Sequence, residues 1–442
     1  MSTLRQQIEA RVVETTDALL RHVRDEDRLA VVQAPPGSGK THLLLTAVKE
    51  AFQRKQRVAI ATQTRSQADD ICRRLAGPGF SLPAIRFVAK GGSSATMPAG
   101  IQAIADHKNL PSGPCIVVGT TAKWGLIELG APLDVVFVEE AWQMDWADFM
   151  LLGQVAARFV LIGDPGQIPP VVSIDPARWE TAPRGPHRAA PELVLRERGA
   201  SLLSLQLPAT RRLPFDTAAL INPFYDFAFD AWAQPGDRSL MMGHSGQGPV
   251  DAALDLMARS TTVGVTLPTP PGGPPLECDD DVASLAIAVV RRLLERQADF
   301  VMDGQRGRLT PADIGVSATH HVMNTAMALR LDAKLAGVSI DTPERWQGLE
   351  RRVMVVVHPL SGVSQPSAFD LETGRLCVMA SRHQVGLVIV SRDHLTETLD
   401  SHLPTADQAV GRADVSGRGH HQNWTFWNTL SNQGCVFVAD KA

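Results

Sequence analysis

The stretch "RLAVVQAPPGSGKTHLLL", residues 28–45, constrains this chain more than any other. A short apolar run, a Pro/Gly loop and a second apolar run opening at Lys40 read as strand, turn and helix. Gln33, Ala34, Pro35, Pro36, Gly37, Ser38, Gly39, Lys40 and Thr41 fit the P-loop pattern, with Ala34 at its first position. The glycines let consecutive backbone N–H groups face one anion. Lys40 would neutralise β- and γ-phosphates of ATP, and the Thr41 hydroxyl would sit on Mg²⁺. A Pro/Gly turn that happens to end in Lys-Thr is the plainer alternative. The strand before and the helix after argue against it.

The same alternation continues along the chain. "RVAIATQ", "CIVVGTT", "LDVVFVE" and "RFVLIGD" are short apolar runs, each followed by a helical or Gly/Pro-containing stretch. "DIGVSAT", "GVSIDT", "RVMVVVHP" and "GLVIVSRD" repeat the arrangement in the second half. Runs buried on both faces and interleaved with helices predict α/β domains with parallel sheets. A chain of 442 residues exceeds one ordinary core. Two domains are therefore expected, residues 1–195 and 196–442, with the Pro/Arg-rich text at 173–200 near the boundary. A leading helix is expected over 4–23. The loop "PTPPGGPP" (268–275) should precede a helix carrying Val282, Leu285, Val289 and Leu293. The tail at 403–423 is polar, and "NWTFWNTL" after it reads as a short packing helix.

Composition excludes several classes. Net charge is −4, so a nucleic-acid surface must be a local groove and not a global field. Five scattered cysteines without a C-x-x-C pair argue against a disulfide framework or a zinc site and fit a reducing cytoplasm. "MSTLRQQIEARVVE" lacks the apolar centre of a signal peptide, and no run has a membrane helix's length. The expectation is a cytoplasmic protein with no membrane partner.

"DVVFVEEAWQ" places Glu139 and Glu140 at the end of an apolar strand, where a parallel sheet presents side chains to a ligand. Downstream of a P-loop, Glu139 reads as the residue that holds Mg²⁺ and Glu140 as the one that polarises the attacking water. A helix start enriched in acids would look similar. "LIGDPGQIPP" adds Asp164 and Gln167 after another strand; Arg211 in "ATRRLP" and Arg382 in "VMASRHQ" are candidate fingers for the γ-phosphate. Each of these alone is ordinary turn or surface chemistry.

Taken in order, these segments resemble the motif series of superfamily 1 helicases, in the branch that includes the nonsense-decay and Okazaki-fragment helicases. That family's D-E-A-x-Q motif matches Glu139 to Gln143, with Glu in place of the first Asp. Its G-D-x-x-Q-L-P-P matches Gly163 to Pro170 with Ile168 for Leu; its Q-G-x-E matches Gln347, Gly348 and Glu350. Its T-R-A-R matches Ser381 and Arg382, with Gln384 replacing the last Arg. The resemblance implies two RecA-like domains that close on ATP. The first would supply Lys40, Thr41, Glu139, Glu140 and Gln167, and the second Arg211, Glu350 and Arg382. Single-stranded DNA or RNA would cross both, touching Thr64, Arg65, Ser66, Thr120, Thr121 and Thr342. Trp142 and Trp346 are alternatives between stacking on a base and packing in the core. With few residues at 76–114 and before the loop, accessory insertions should be few; nucleic-acid-stimulated ATPase activity and translocation are expected, and strand separation only where a protein partner supplies the wedge. The rival expectations are an ATPase switch in a defence or repair complex and a degenerate nucleotide-binding module.

Overall fold

The computed structural model describes residues 3–91, 97–171, 177–179, 182–273, 277–403 and 416–439. Parts of the Pro/Arg-rich stretch, the end of the 268–275 loop and most of the polar tail lie outside the described residues. The chain divides into two compact units. The first runs to Pro208, except that Gly166–Ile168 group with the second, which begins at Ala209.

In the first unit the strands are β1 (Leu29–Gln33), β2 (Arg57–Thr62), β3 (Ala84–Phe87), β4 (Ile101–Ile104), β5 (Cys115–Thr120), β6 (Val135–Glu139), β7 (Phe159–Gly163) and β8 (Leu203–Gln206). Its helices are α1 (Leu4–Arg24), α2 (Lys40–Gln53), α3 (Arg65–Ala76), α4 (Thr121–Gly125), α5 (Trp146–Leu152) and α6 (Ala190–Arg198). The strands form one sheet in the order β4-β3-β5-β2-β6-β7-β1-β8, every pair parallel. Alternate residues feed two cores. Val32, Ile60, Phe137 and Ile162 pack on one face with α2 and α3, and Val31, Ala59, Val136 and Leu161 on the other. Apolar burial on both faces is what made these strands readable.

The boundary expected at 195/196 falls later in the structure. α6 continues to Arg198, and β8 pairs with β1 (Val32 opposite Leu205), so this segment completes the first sheet.

The second unit contributes β9 (Ala209–Thr210), β10 (Asp230–Ala231), β11 (Arg238–Met241), β12 (Thr262–Leu267), β13 (Asp299–Met302), β14 (Gln305–Arg308), β15 (Ile314–Ser317), β16 (Ser339–Asp341), β17 (Arg351–Val357), β18 (His383–Arg392) and β19 (Val436–Val438). Its helices are α7 (Phe215–Ile221), α8 (Pro249–Leu256), α9 (Asp280–Glu295), α10 (His321–Ala328), α11 (Pro343–Trp346), α12 (Thr373–Ala380), α13 (His394–Ser401) and α14 (Ser416–Asn432). Six strands form a parallel sheet, β16-β15-β17-β18-β12-β19, and β11, β13 and β14 a small antiparallel one. "NWTFWNTL" lies within α14, longer than expected, with Phe426, Trp427 and Leu430 in the core. Among the described residues no helix is long and apolar enough to cross a membrane.

Candidate nucleotide site and nucleic-acid face

The P-loop joins β1 to α2 at the carboxyl edge of the first sheet. Gly37 and Gly39 have φ of +68° and +88°, the left-handed region that glycine enters without steric cost. The Ser38 N–H donates to the Pro35 carbonyl (3.2 Å), closing the turn. Gly39 is the N-terminal cap of α2 and offers no side chain to its first-turn N–H groups. Those groups are left for an anion, which the helix dipole also favours. A methyl group built on Gly39 would meet no atom within 4 Å, so the space in front of the helix is open. Ser38 Oγ is buried with no hydrogen-bond partner among the described residues.

The acids converge on this loop. Glu139 ends β6 and Glu140 begins a single 3-10 turn, Ala141–Gln143. Thr41 Oγ1 donates to Glu139 Oε1 at 2.7 Å, and Lys40 Nζ pairs with Glu140 Oε1 at 2.8 Å. Both carboxylates are buried. Burial, followed by the Glu140 charge, pushes the Glu139 carboxyl up to about 7 against the opposing Thr41 hydrogen bond and Lys40 charge. Glu140 has φ 50° and ψ 46°. A non-glycine residue held there costs ~1–3 kcal/mol, a pattern found at ligand-binding and catalytic positions.

β7 holds this turn in place. A methyl group on Gly163 would come within 2.8 Å of the Ala141 nitrogen and 2.9 Å of the Trp142 ring. The Gly163 carbonyl also accepts from the Ala34 N–H at 2.9 Å. Thr41 and Glu139 form a hard-oxygen set that fits Mg²⁺ chemistry, though no cluster of three or more His, Cys, Asp or Glu ligands exists among the described residues.

The other site residues are distributed differently from expectation. Gln167 is buried and groups with the second unit, where its backbone packs on Gly374 at the start of α12. Arg211 is exposed, its guanidinium 4.3 Å above the Trp232 ring, whereas Arg382 is only 1% exposed. Glu350, expected beside the nucleotide, spends both oxygens inside its own unit, on Arg212 Nε (2.6 Å) and Gln384 Nε2 (2.7 Å). Burial raises its carboxyl, but the Arg212 charge and both hydrogen bonds outweigh that and hold it low. Gln384, where the family pattern has its last Arg, is thereby a ligand of Glu350.

The candidate nucleic-acid contacts divide by burial. Thr64 caps α3 by accepting from the Gln67 N–H, and Thr120 caps α4 by accepting from the Lys123 N–H. Arg65 and Ser66, beside Thr64, are both exposed. Thr121 and Thr342 are corrections. Both are buried, and Thr121 donates to the Thr62 carbonyl, tying the start of α4 to the end of β2. Trp346 is core, its Nε1–H on the Val316 carbonyl at 3.1 Å, and Trp142 is core as well. Sequence reasoning missed Lys123 and Leu126 on α4 and its end, which face one pocket with Arg65 and Thr120. An isolated Lys and Leu in a polar stretch carry no signal that would have singled them out.

Residues 14–179 match the protein family described as AAA domain. No curated protein matches the chain. Among solved structures, the chain is similar to the PRRSV helicase at 17% identity and a TM-score of 0.43, covering 89% of this chain and 58% of that one. It is also similar to the helicase nonstructural protein 10 of an arterivirus, at 17% identity and a TM-score of 0.45, covering 86% and 64%. A structure of the arterivirus protein with DNA matches at 16% identity and a TM-score of 0.42, covering 87% and 64%. The chain thus spans less than two thirds of the length of these helicases.

Proposed function

We propose that this chain is an ATP-driven motor on single-stranded DNA or RNA, of superfamily 1 and close to its nonsense-decay and Okazaki-fragment branch. The observation that carries the ATPase part is the meeting of Lys40, Thr41, Glu139 and Glu140 at one sheet edge. It speaks against the degenerate-module reading, because the eroded first acid still reaches the Thr41 hydroxyl. Mg²⁺ held by Thr41 and Glu139 would neutralise charge on the β- and γ-phosphate oxygens. A triphosphate entering the loop competes for Lys40. Loss of the Lys40–Glu140 ion pair then leaves the Glu140 carboxylate free to orient and deprotonate water.

In this reading Arg211 and Arg382 act as fingers and Gln167 couples hydrolysis to the second unit. Glu350, held by Arg212 and Gln384, would approach the nucleotide from the second unit. The motor works in the cytoplasm, with a protein partner for strand separation. The deciding experiment is ATP turnover with and without single-stranded DNA or RNA, beside Lys40→Ala and Glu140→Gln. Stimulation of ~10-fold or more, lost in both variants, is expected; a ten-fold rate change corresponds to ~1.4 kcal/mol of barrier. Turnover indifferent to nucleic acid would favour the switch.

A further inference from the structure

α5 (Trp146–Leu152) has a single polar residue, Asp148, yet it lies at the surface of the first unit. A helix apolar nearly all round is normally covered on every side. The inner face of α5 is: Leu152 is fully buried, and the Phe149 ring sits 5.5 Å from Trp146 and 5.3 Å from Phe159. Its outer face is not. The exposed residues are Ala147, Met150 and Leu151, spaced i, i+3 and i+4 like a face that meets a core. Met150 is 59% exposed and Leu151 48%. By contrast, the exposed residues of α3 are Arg65, Ser66, Arg73 and Arg74, all polar. Leu151 lies against Gly125 of α4, where a methyl group would come within 3.1 Å of its Cδ1. Gln154 fixes that contact by donating to the Gly125 carbonyl at 3.3 Å. Leu126, next in the chain, is 84% exposed and extends the apolar strip. One exposed leucine is ordinary; a contiguous apolar strip marks an interaction surface.

The charges beside the strip select its occupant. Asp148 is half-buried, one helical turn from Leu151. Asp145 caps the helix by accepting from the Asp148 N–H at 2.8 Å. Burial, then the Asp145 charge, raises the Asp148 carboxyl, and no cation opposes them. Glu128, exposed two residues beyond Leu126, adds a third carboxylate. A lysine or arginine brought by a partner would relieve this repulsion, whereas nucleic acid or an anionic membrane would add to it. A narrow apolar strip along one helix is the shape that a second helix fills.

We propose that the outer face of α5, with Leu126, docks an amphipathic helix of a protein partner. The partner's leucine or methionine side chains would cover Met150 and Leu151, and its lysine or arginine would sit beside Asp148 and Asp145. The purpose of this contact rests on the motor reading and its partner. α5 follows the 3-10 turn of the acids with only Met144 and Asp145 between, so a helix seated there bears on Glu139 and Glu140. Binding is measured apart from turnover, so the docking face and the motor can fail separately.

The test uses the full chain and a fluorescein-labelled synthetic helix with leucines at i, i+3, i+4 and i+7, flanked by lysines. A twin peptide carries glutamate for each lysine. Fluorescence anisotropy should show the lysine helix binding ~10-fold or more tighter than its twin. Met150→Gln combined with Leu151→Gln, both at exposed positions, should weaken the lysine helix ~10-fold and leave the urea midpoint unchanged. Asp148→Asn keeps the side-chain shape and should narrow the gap between the twins ~3-fold, which a purely apolar contact would not do. Equal binding of the twins, no binding of either, no loss in the double variant, or an unchanged gap in Asp148→Asn would overturn the proposal. So would phosphatidylcholine vesicles that bind the parent chain but not the double variant, which assigns the face to a membrane. Self-association lost in the double variant would overturn it too, assigning the face to a second copy.

Discussion

Six strands of the first sheet, β5-β2-β6-β7-β1-β8, follow the same chain order as the six of the second, β16-β15-β17-β18-β12-β19. With the ends of β6 and β17 aligned, strand register makes Gln33 correspond to Thr266, Glu140 to His358, and Asp164 to Arg392. The two edges then differ in one decisive way. In the first, α2 is capped by Gly39 and its N-terminus is open. In the second, α9 is capped by Asp279, whose carboxylate accepts from the Asp281 and Val282 N–H groups. Arg392 forks onto that carboxylate at 2.7 and 2.8 Å and reaches Asp281 at 2.8 Å. The anion that the first unit leaves to a ligand is built into the second as a side chain. One topology thus yields one open helix N-terminus and one closed by an ion pair.

The largest expected effect is at the open edge. Glu140→Gln should cut ATP turnover ~10²- to 10⁴-fold while leaving nucleotide binding, measured by fluorescent-nucleotide titration, in place. Normal turnover in that variant would break the assignment of the two acids.

At the closed edge, Asp279→Ala leaves the buried Arg392 with only the exposed Asp281 as ion-pair partner and should cost up to ~3–5 kcal/mol in urea unfolding of the second unit. A second triphosphate bound by that variant in a Lys40→Ala background would show that the ion pair alone closes the site.

His358, at the position of Glu140, is pushed down to about 3 by burial and then by the charge of His394. His383 is likewise lowered to about 3, by burial and then by Arg238 and Arg212. The unfolded chain therefore binds more protons below the ordinary value of 6.5. Stability from these groups is full above 6.5 and is lost as pH falls from there towards 3. The limit is ~1.4 kcal/mol per pH unit per histidine. The urea midpoint of the second unit should drop between pH 7 and pH 5, and His358→Phe should flatten that drop.

The smallest effect expected is from Glu139→Asp, which loses the reach to Thr41 but suits a water-mediated Mg²⁺ contact. Steady-state turnover should be kept or raised; a loss as deep as that of Glu140→Gln would contradict the assigned roles.

The parallel core strands were legible because burial on both faces removes polar residues from them. β3 and β4 were missed: both are four residues long, with the buried Arg86 and the exposed Gln102 interrupting the apolar pattern. β12, "TVGVTL", is fully buried yet hides behind two threonines and a glycine. The β13–β14 hairpin did carry a signal, Asp303-Gly304, both at positive φ as a two-residue hairpin turn requires. At the site, the P-loop and acids were legible because their spacing encodes the chemistry. The threonines were not. Thr64 and Thr120 cap helices and Thr121 ties a helix start to a strand, uses that a sequence writes with the same letter as a phosphate contact.

Gly163 has a consequence for how the first site can respond to load. Its carbonyl holds the start of the P-loop, and its bare α-carbon lets the backbone of the acid turn rest against it. Loop, acids and the strand that continues to Asp164 share one pivot no wider than a hydrogen atom. Adding a methyl there, as in Gly163→Ala, should shift all three together. Nucleotide affinity and turnover would then fall in step, although no group that meets the phosphate had been changed.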